Sequence, residues 1–171
     1  KEEWMMLNIP LMSNNINSSD IAALTEFLQK SDRFTNGPKV REFEEAWSKW
    51  LGVKYSVFVN SGSSANYMTL AGIRERYGAG EVLLAPIGWA SDIAAVIAAG
   101  MEPVFVDVDL KNLSMKEEEA IGKMTGRTKA VLLTHVLGYN GMAQKIRDIC
   151  TDRGIVLVDD DARFAVQGVQ M

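Results

Sequence analysis

The chain has 171 residues, of which 47% are hydrophobic and 23% are charged, and its formal net charge at pH 7 is -4. This composition excludes a disordered chain and a basic surface for nucleic acid. No apolar run reaches the ~18 residues of a membrane span, and the single cysteine, Cys150, excludes an internal disulfide. We therefore expect a cytoplasmic globular protein that binds neither nucleic acid nor a membrane.

Helices and strands alternate along most of the sequence. Apolar residues at helical spacing predict amphipathic helices over Ser19–Lys30, behind a serine cap, and over Gly37–Gly52. Short apolar runs then predict strands over Tyr55–Asn60, Glu81–Pro86, Glu102–Val108, Lys129–His135 and Gly154–Asp160, with helices near 63–77, 89–99, 115–124 and 141–153. Near-continuous apolar strands that alternate with helices predict an α/β fold, a three-layer αβα domain with a mostly parallel sheet.

The joint between the first predicted strand and its helix is rich in small polar residues. This joint consists of Ser61, Gly62, Ser63 and Ser64. Its backbone N–H groups and hydroxyls would point to one place, where the positive end of the helix favours an anion such as phosphate. The same serines are also typical of an ordinary helix cap. The joint lacks the lysine of a nucleoside-triphosphate loop and the glycine spacing of a dinucleotide motif.

Three further side chains follow predicted strands, where ligands collect in a parallel sheet. Trp89 lies at a helix start, where an indole could cover a flat ring or simply pack in the core. Asp160 ends an apolar strand and would need a cationic partner if it were buried, although it could instead cap a turn. His135 is the single histidine, and it could be either a hydrogen-bonded core residue or a catalytic residue.

Taken together, these blocks resemble the first half of the DegT/DnrJ/EryC1/StrS family of pyridoxal-phosphate-dependent sugar aminotransferases. The resemblance extends over about residues 9–160, and its order and spacing are more specific than any one motif. It rests on "FTNGPKVREFEEAW", "NSGSSAN", "EVLLAPIGWASDIAAVIAAGMEPVFVDVD", "TKAVLLTHVLGYNG" and "GIVLVDD". It implies the aspartate-aminotransferase fold, of which this chain would form an incomplete large domain.

The resemblance assigns roles to the cofactor-binding candidates. Gly62, Ser63 and Ser64 match the positions that hold the cofactor phosphate, and Trp89 matches the aromatic side chain that stacks on the pyridine ring. Asp160 matches the carboxylate that pairs with the pyridine nitrogen. An ionised carboxylate there favours the protonated ring, which accepts electrons.

Two more positions are assigned in the same way. Thr35 matches a segment that approaches the substrate site or the partner subunit in the family dimer. Arg163 takes the place of a residue that often reaches the phenolic oxygen of the cofactor, and the segment after Asp160 departs from the family pattern. Arginine could donate a hydrogen bond there, although it is bulkier and charged.

The resemblance supplies no catalytic residue within this chain. The lysine that forms the Schiff base in this family lies farther downstream, and none of the lysines here matches it. In one branch, the sugar 3-dehydratases, a histidine replaces that lysine and the cofactor is pyridoxamine phosphate. His135 does not match that position, although dehydratases also have the "SGSSAN" loop. No metal site is expected.

We therefore expect a pyridoxal 5'-phosphate or pyridoxamine 5'-phosphate enzyme that acts on a nucleotide-linked keto sugar with an amino donor such as glutamate. It would serve the biosynthesis of cell-surface polysaccharide, such as lipopolysaccharide, or of secondary-metabolite sugars. The alternatives are a 3-dehydratase, an inactive fragment or assembly component, and another branch of the fold that acts on amino acids or sulfur compounds.

The resemblance also predicts the organisation of the chain. Residues 1–36 would form an amino-terminal arm and helix, and residues 37–171 a partial cofactor-binding domain. We expect a homo-oligomer, or a second chain with the missing half. In the family fold the first strand, here Tyr55–Asn60, lies at a sheet edge and joins the others through a strand of the second half.

Overall fold

The computed structural model describes residues 15–160, and the chain divides into two units between Glu42 and Phe43. The first unit contains helix α1 (Ser18–Lys30). Its cap is Asn17, not the serine expected from the sequence, because the Asn17 side chain accepts hydrogen bonds from the backbone of Ser19 and Asp20. The Asn17 N–H in turn donates to the Asp20 carboxylate at 2.9 Å, which completes a capping box.

Helix α2 (Pro38–Leu51) begins at a proline, whose fixed φ suits a first helical position, and crosses the boundary between the units. The second unit then alternates helices and strands. Its elements are α3 (Gly62–Tyr77), β1 (Glu81–Leu84), α4 (Ala90–Ala98), β2 (Glu102–Phe105), β3 (Val108–Asp109), β4 (Ser114–Met115), α5 (Glu117–Lys123), β5 (Thr128–Thr134), α6 (Gln144–Arg153) and β6 (Val156–Asp160).

The main sheet of the second unit has four strands in the order β2-β1-β5-β6, and every neighbouring pair is parallel. Alternate residues of β5 point to opposite faces. Leu132 packs with residues of α3 and α4 on one face, and Leu133 packs with residues of α5 and α6 on the other. Because helices cover both faces, the strands are apolar along nearly their whole length. The predicted three-layer α/β fold is confirmed.

The strand predicted over Tyr55–Asn60 is wrong for this structure. These residues form no strand, and the Phe58 N–H donates instead to the Glu44 carboxylate at 2.8 Å. An extended apolar segment becomes a strand only when a neighbouring strand accepts its backbone hydrogen bonds, and the described residues supply none here.

The region after β2 also differs from the prediction. The strand expected over Glu102–Val108 ends at Phe105, and β3 pairs antiparallel with β4 to form a separate two-stranded sheet. Asp109 accepts from the Lys111 N–H at 2.9 Å within the connecting turn. Among residues 15–160, no helix is both long and apolar enough to cross a membrane.

Truncation of Leu132 is expected to destabilise the second unit. The side chain is fully buried between β5 and the α3–α4 layer, so Leu132→Ala should lower the free energy of unfolding by about 2–5 kcal/mol. Leu110 is 83% exposed, and Leu110→Ala should change the value by no more than about 0.5 kcal/mol. Urea unfolding of both variants checks this difference, and equal losses would contradict the assignment of the core.

Candidate functional site

A cavity of about 200 Å³ lies at the carboxyl ends of β5 and β6, beside the turn after β1. Trp89 and Asp160 both line it, although they are separated in the chain by four strands and three α-helices. The Trp89 side chain is 70% exposed, so it is available to a ligand and is not part of the core. The remaining lining residues are Ile87, Gly88, Thr134, His135, Val136 and Leu137.

The amino terminus of α3 is capped by the serines of the motif. The Ser61 hydroxyl accepts from the Ser64 N–H at 3.2 Å, and the Ser64 hydroxyl donates to the Asn60 side chain at 2.6 Å. The N–H groups of Gly62 and Ser63 and the Ser63 hydroxyl make no hydrogen bond to any described residue. The joint is therefore a helix cap that also leaves donors free for an anion.

Asn66, on α3, links this helix to Asp160 on β6. Its side-chain nitrogen lies 3.3 Å from Asp160 Oδ2 and 3.0 Å from Asp92 Oδ1 on α4. Burial raises the pKa of Asp92, and the nearby charge of Asp160 raises it further, while the bonds from the Trp89 backbone, Asn66 and Ser91 oppose these effects. The two carboxylates and the amide form one connected polar group beside the cavity.

His135 follows β5 and belongs to the wall of the same cavity. The Gly141 N–H donates to its Nδ1 at 3.1 Å, so the neutral ring has its proton on Nε2. Nε2 lies 3.5 Å from Asp159 Oδ1. These contacts fix the orientation of the imidazole between β6 and the loop before α6, which supports the structural interpretation of this histidine.

The other two predicted residues lie elsewhere. Thr35 lies in the first unit, between α1 and α2, where its side chain is exposed and its carbonyl accepts from Arg33 Nε at 2.8 Å. Arg163 lies outside the described residues.

Asn66 and Asp92 were not singled out from the sequence. Asp92 is the third residue of α4 and accepts from the Trp89 N–H at 3.1 Å. An acidic residue three positions after the residue that precedes a helix is a sequence signal for this cap. Its second contact, to Asn66, joins residues 26 positions apart, so no local pattern reveals it.

The fold is that of an α/β domain with a parallel sheet, the class in which ligands bind at the carboxyl ends of the strands. The DegT/DnrJ/EryC1/StrS aminotransferase family profile matches residues 14–166, and the chain belongs to this family. The family depends on pyridoxal phosphate, which confirms the predicted family and its cofactor.

Curated relatives include both kinds of enzyme that the sequence left open. A GDP-4-keto-6-deoxy-D-mannose 3-dehydratase of Escherichia coli O55:H7 is 30% identical over 161 residues, which is 91% of this chain and 41% of the relative. A dTDP-4-dehydro-2,3,6-trideoxy-D-glucose 4-aminotransferase of Saccharopolyspora spinosa is 34% identical over 128 residues, which is 74% of this chain and 33% of the relative. The chain therefore spans less than half the length of these relatives.

A solved structure gives the same picture at the level of the fold. The E. coli GDP-4-keto-6-deoxy-D-mannose-3-dehydratase with bound hydrated pyridoxal phosphate superposes with a TM-score of 0.81 at 29% identity. The match covers 90% of this chain and 41% of that one. This coverage agrees with the expectation that the chain corresponds to only part of the large domain of this fold.

The residues that line the cavity, together with the amino terminus of α3, fit this cofactor by their chemistry. Free N–H groups and a hydroxyl at the start of α3 suit a phosphate, an exposed indole suits an aromatic ring, and a carboxylate suits a ring N–H. Gly88, in the wall of the cavity, lies close against Asp92, because a Cβ there would be only 2.9 Å from Asp92 Oδ2.

Proposed function

We propose that this chain forms the amino-terminal part of a pyridoxal-phosphate-dependent aminotransferase that acts on a nucleotide-linked keto sugar. The supporting observation is the cavity that Trp89 and Asp160 share, with Asn66 connecting Asp160 to the helix whose amino terminus has free donors. Curated relatives of both nucleotide series, GDP and dTDP, support the substrate class.

In this proposal each residue has a separate task. Gly62 and Ser63 donate to the phosphate, and Ser64 maintains the turn that presents them. Trp89 covers one face of the ring and excludes water from it, and Asp160 holds the ring nitrogen in its protonated form. When bound, the cofactor supplies the electron sink for the chemistry at the substrate carbon.

We propose the remaining assignments together. Thr35 would contribute to the substrate site or to a neighbouring subunit, and Arg163 would reach the phenolic oxygen of the cofactor. Residues 1–36 would form an arm and residues 37–171 the partial cofactor domain. The protein would work in the cytoplasm as a homo-oligomer or with a second chain, with glutamate as amino donor, in the biosynthesis of lipopolysaccharide or of related sugars.

A 3-dehydratase that uses pyridoxamine phosphate is the second candidate. A 3-dehydratase relative that matches 91% of this chain supports this alternative. The two reactions leave different products, an amino sugar or a 3-deoxy sugar. Incubation of the full-length protein with pyridoxal phosphate, glutamate and GDP- or dTDP-linked 4-keto sugars, followed by mass spectrometry, distinguishes them. Cofactor binding with neither product would contradict both.

The phosphate of the cofactor is expected to bind at the amino terminus of α3. Ser63→Ala removes a hydroxyl that has no partner among the described residues, so it should weaken pyridoxal phosphate binding about 10-fold without altering thermal stability. Ser64→Ala breaks the bonds to Asn60 and Ser61, so it should lower both affinity and stability. Absorbance titration and thermal melting of the full-length protein provide the measurements.

Two outcomes would count against this phosphate site. Unchanged affinity in both serine variants would place the phosphate elsewhere. The same conclusion would follow if a crystal soaked in pyridoxal phosphate showed the phosphate away from Gly62 and Ser63.

A further inference from the structure

Asn66 bridges two carboxyl groups that belong to different elements. Its side-chain nitrogen lies 3.0 Å from Asp92 Oδ1 and 3.3 Å from Asp160 Oδ2. Ionised carboxylates only accept hydrogen bonds, so the amide must turn its nitrogen, with two hydrogens, toward both of them. One half-buried side chain on α3 therefore ties α4 to the end of β6.

Asp92 is a buried carboxyl to which the proposed reaction gives no role. Its side chain is 4% exposed, and its Oδ2 accepts from the Trp89 N–H at 3.1 Å. Burial raises the pKa of Asp92, as does the nearby Asp160 charge, so a charged group here is costly. Hydrogen bonds from Trp89, Asn66 and Ser91, and the position of Asp92 in the first turn of α4, offset that cost.

The two bonds of Asp92 lead to the two sides of one cavity. Through Oδ2 it holds the backbone of Trp89, and through Oδ1 and Asn66 it reaches the carboxylate of Asp160. Trp89 and Asp160 both line that cavity. A contact to Trp89 alone would make Asp92 a simple helix cap, whereas the second contact couples the indole to the carboxylate.

We propose that Asn66 and Asp92 are positioning residues, which hold the Asp160 carboxylate and the Trp89 backbone in a fixed relation across the cavity. The inference rests on the proposed function, since the ligand between these two groups is the pyridine ring. Neither residue touches the ring. They determine the direction of the carboxylate and the position of the indole, and thereby the protonation of the ring nitrogen.

The first test titrates the full-length protein with ¹⁵N-labelled pyridoxal 5'-phosphate. Asn66→Ala removes the bridge, and Asp92→Asn keeps the side-chain shape but lacks one acceptor oxygen. Both should raise the dissociation constant about 10-fold and move the ring ¹⁵N signal toward the unprotonated position. Asp152 is exposed, and Asp152→Asn is the matched control that should change neither quantity. A loss of stability alone would leave the ring signal unchanged.

The second test uses the protein without cofactor and follows the ¹³Cγ signal of Asp92 with pH. Asp160→Asn should lower the midpoint, because it removes a neighbouring negative charge, and Asn66→Ala should raise it, because it removes a stabilising donor. Two other titratable groups lie at the carboxyl ends of β5 and β6, namely His135 and Asp159, and Asp107 follows the carboxyl end of β2 and pairs with Lys116. All of these groups remain unchanged in these variants.

The outcomes separate the inference from the proposed function. Wild-type binding with an unchanged ring signal in Asn66→Ala and Asp92→Asn overturns the inference and leaves the function intact. The inference is also overturned if Asp160→Asn leaves the titration midpoint of Asp92 unchanged. A protein that never binds the cofactor, yet shows the expected midpoint changes, contradicts the function and supports the bridge. If Asn66→Ala does not fold, two measurements still test the inference. They are the ring ¹⁵N signal in Asp92→Asn and the titration midpoint of Asp92 in Asp160→Asn.

Discussion

Asp160→Asn is expected to lower the turnover of the full-length protein about 100-fold or more, which is the scale of losing a preorganised charge. Cofactor affinity should fall much less, because the amide keeps the size of the carboxylate and can still accept from Asn66 and from a ring N–H. The lost property is the negative charge. Without it, the protonated and electron-accepting form of the ring is no longer favoured.

Steady-state rates with a nucleotide-linked keto sugar and absorbance titration with pyridoxal phosphate measure the two quantities separately. Asp152→Asn removes an equal charge from an exposed position on α6 and should leave both at their wild-type values. A near-normal rate in Asp160→Asn would mean that this carboxylate is not the partner of the ring nitrogen. Equal losses of rate and affinity would indicate a role in binding alone.

The strands of the main sheet could be predicted because each contains an apolar run, which is buried in the central strands β1 and β5 and only partly buried in the edge strands β2 and β6. Four of the five apolar runs correspond to β1, β2, β5 and β6, with bounds that differ by at most three residues. An apolar run records burial, which is a property of the side chains. It does not record whether a neighbour accepts the backbone hydrogen bonds, and for this reason Tyr55–Asn60 was wrongly predicted as a strand.

The candidate site was predictable where a single strand or helix end places the residue. Trp89 follows β1 and Asp160 is the last residue of β6, and the carboxyl ends of parallel strands lie at the same edge of the sheet. The bridge could not be predicted, because Asn66 and Asp160 are 94 positions apart. Only the packing of α3 and α4 on the same face of the sheet brings the amide between the carboxyls.

Three apolar side chains of the segment 55–58 are largely exposed in the described chain. Tyr55 is 76% exposed and Val57 is 70% exposed. Phe58 is more than half exposed, although its ring packs edge-on against Phe43 at 5.4 Å. This segment has the composition of a buried strand, yet its side chains face solvent.

Helix α2 extends the same apolar surface. Trp47 stacks on Phe43 at 5.6 Å between ring centroids and contacts Trp50 at 5.0 Å, and Trp50 is itself largely exposed. Aromatic side chains contribute the most per residue to association, because each removes a large apolar area from water. The residues 55–58 and the aromatic side chains of α2 together form what we term the aromatic surface.

The 171-residue polypeptide, expressed alone, is therefore expected to associate with further copies of itself through the aromatic surface. Light scattering should give a mass well above 18.9 kDa, and dilution should shift it toward the monomer. The double variant Tyr55→Glu/Val57→Lys places charges in the surface and should favour the monomer. Leu110→Lys changes an equally exposed apolar residue in the turn between β3 and β4 and should leave association unchanged. A stable, cooperatively folding monomer of the unaltered chain at high concentration would contradict the prediction, since the aromatic surface would then tolerate water without a partner.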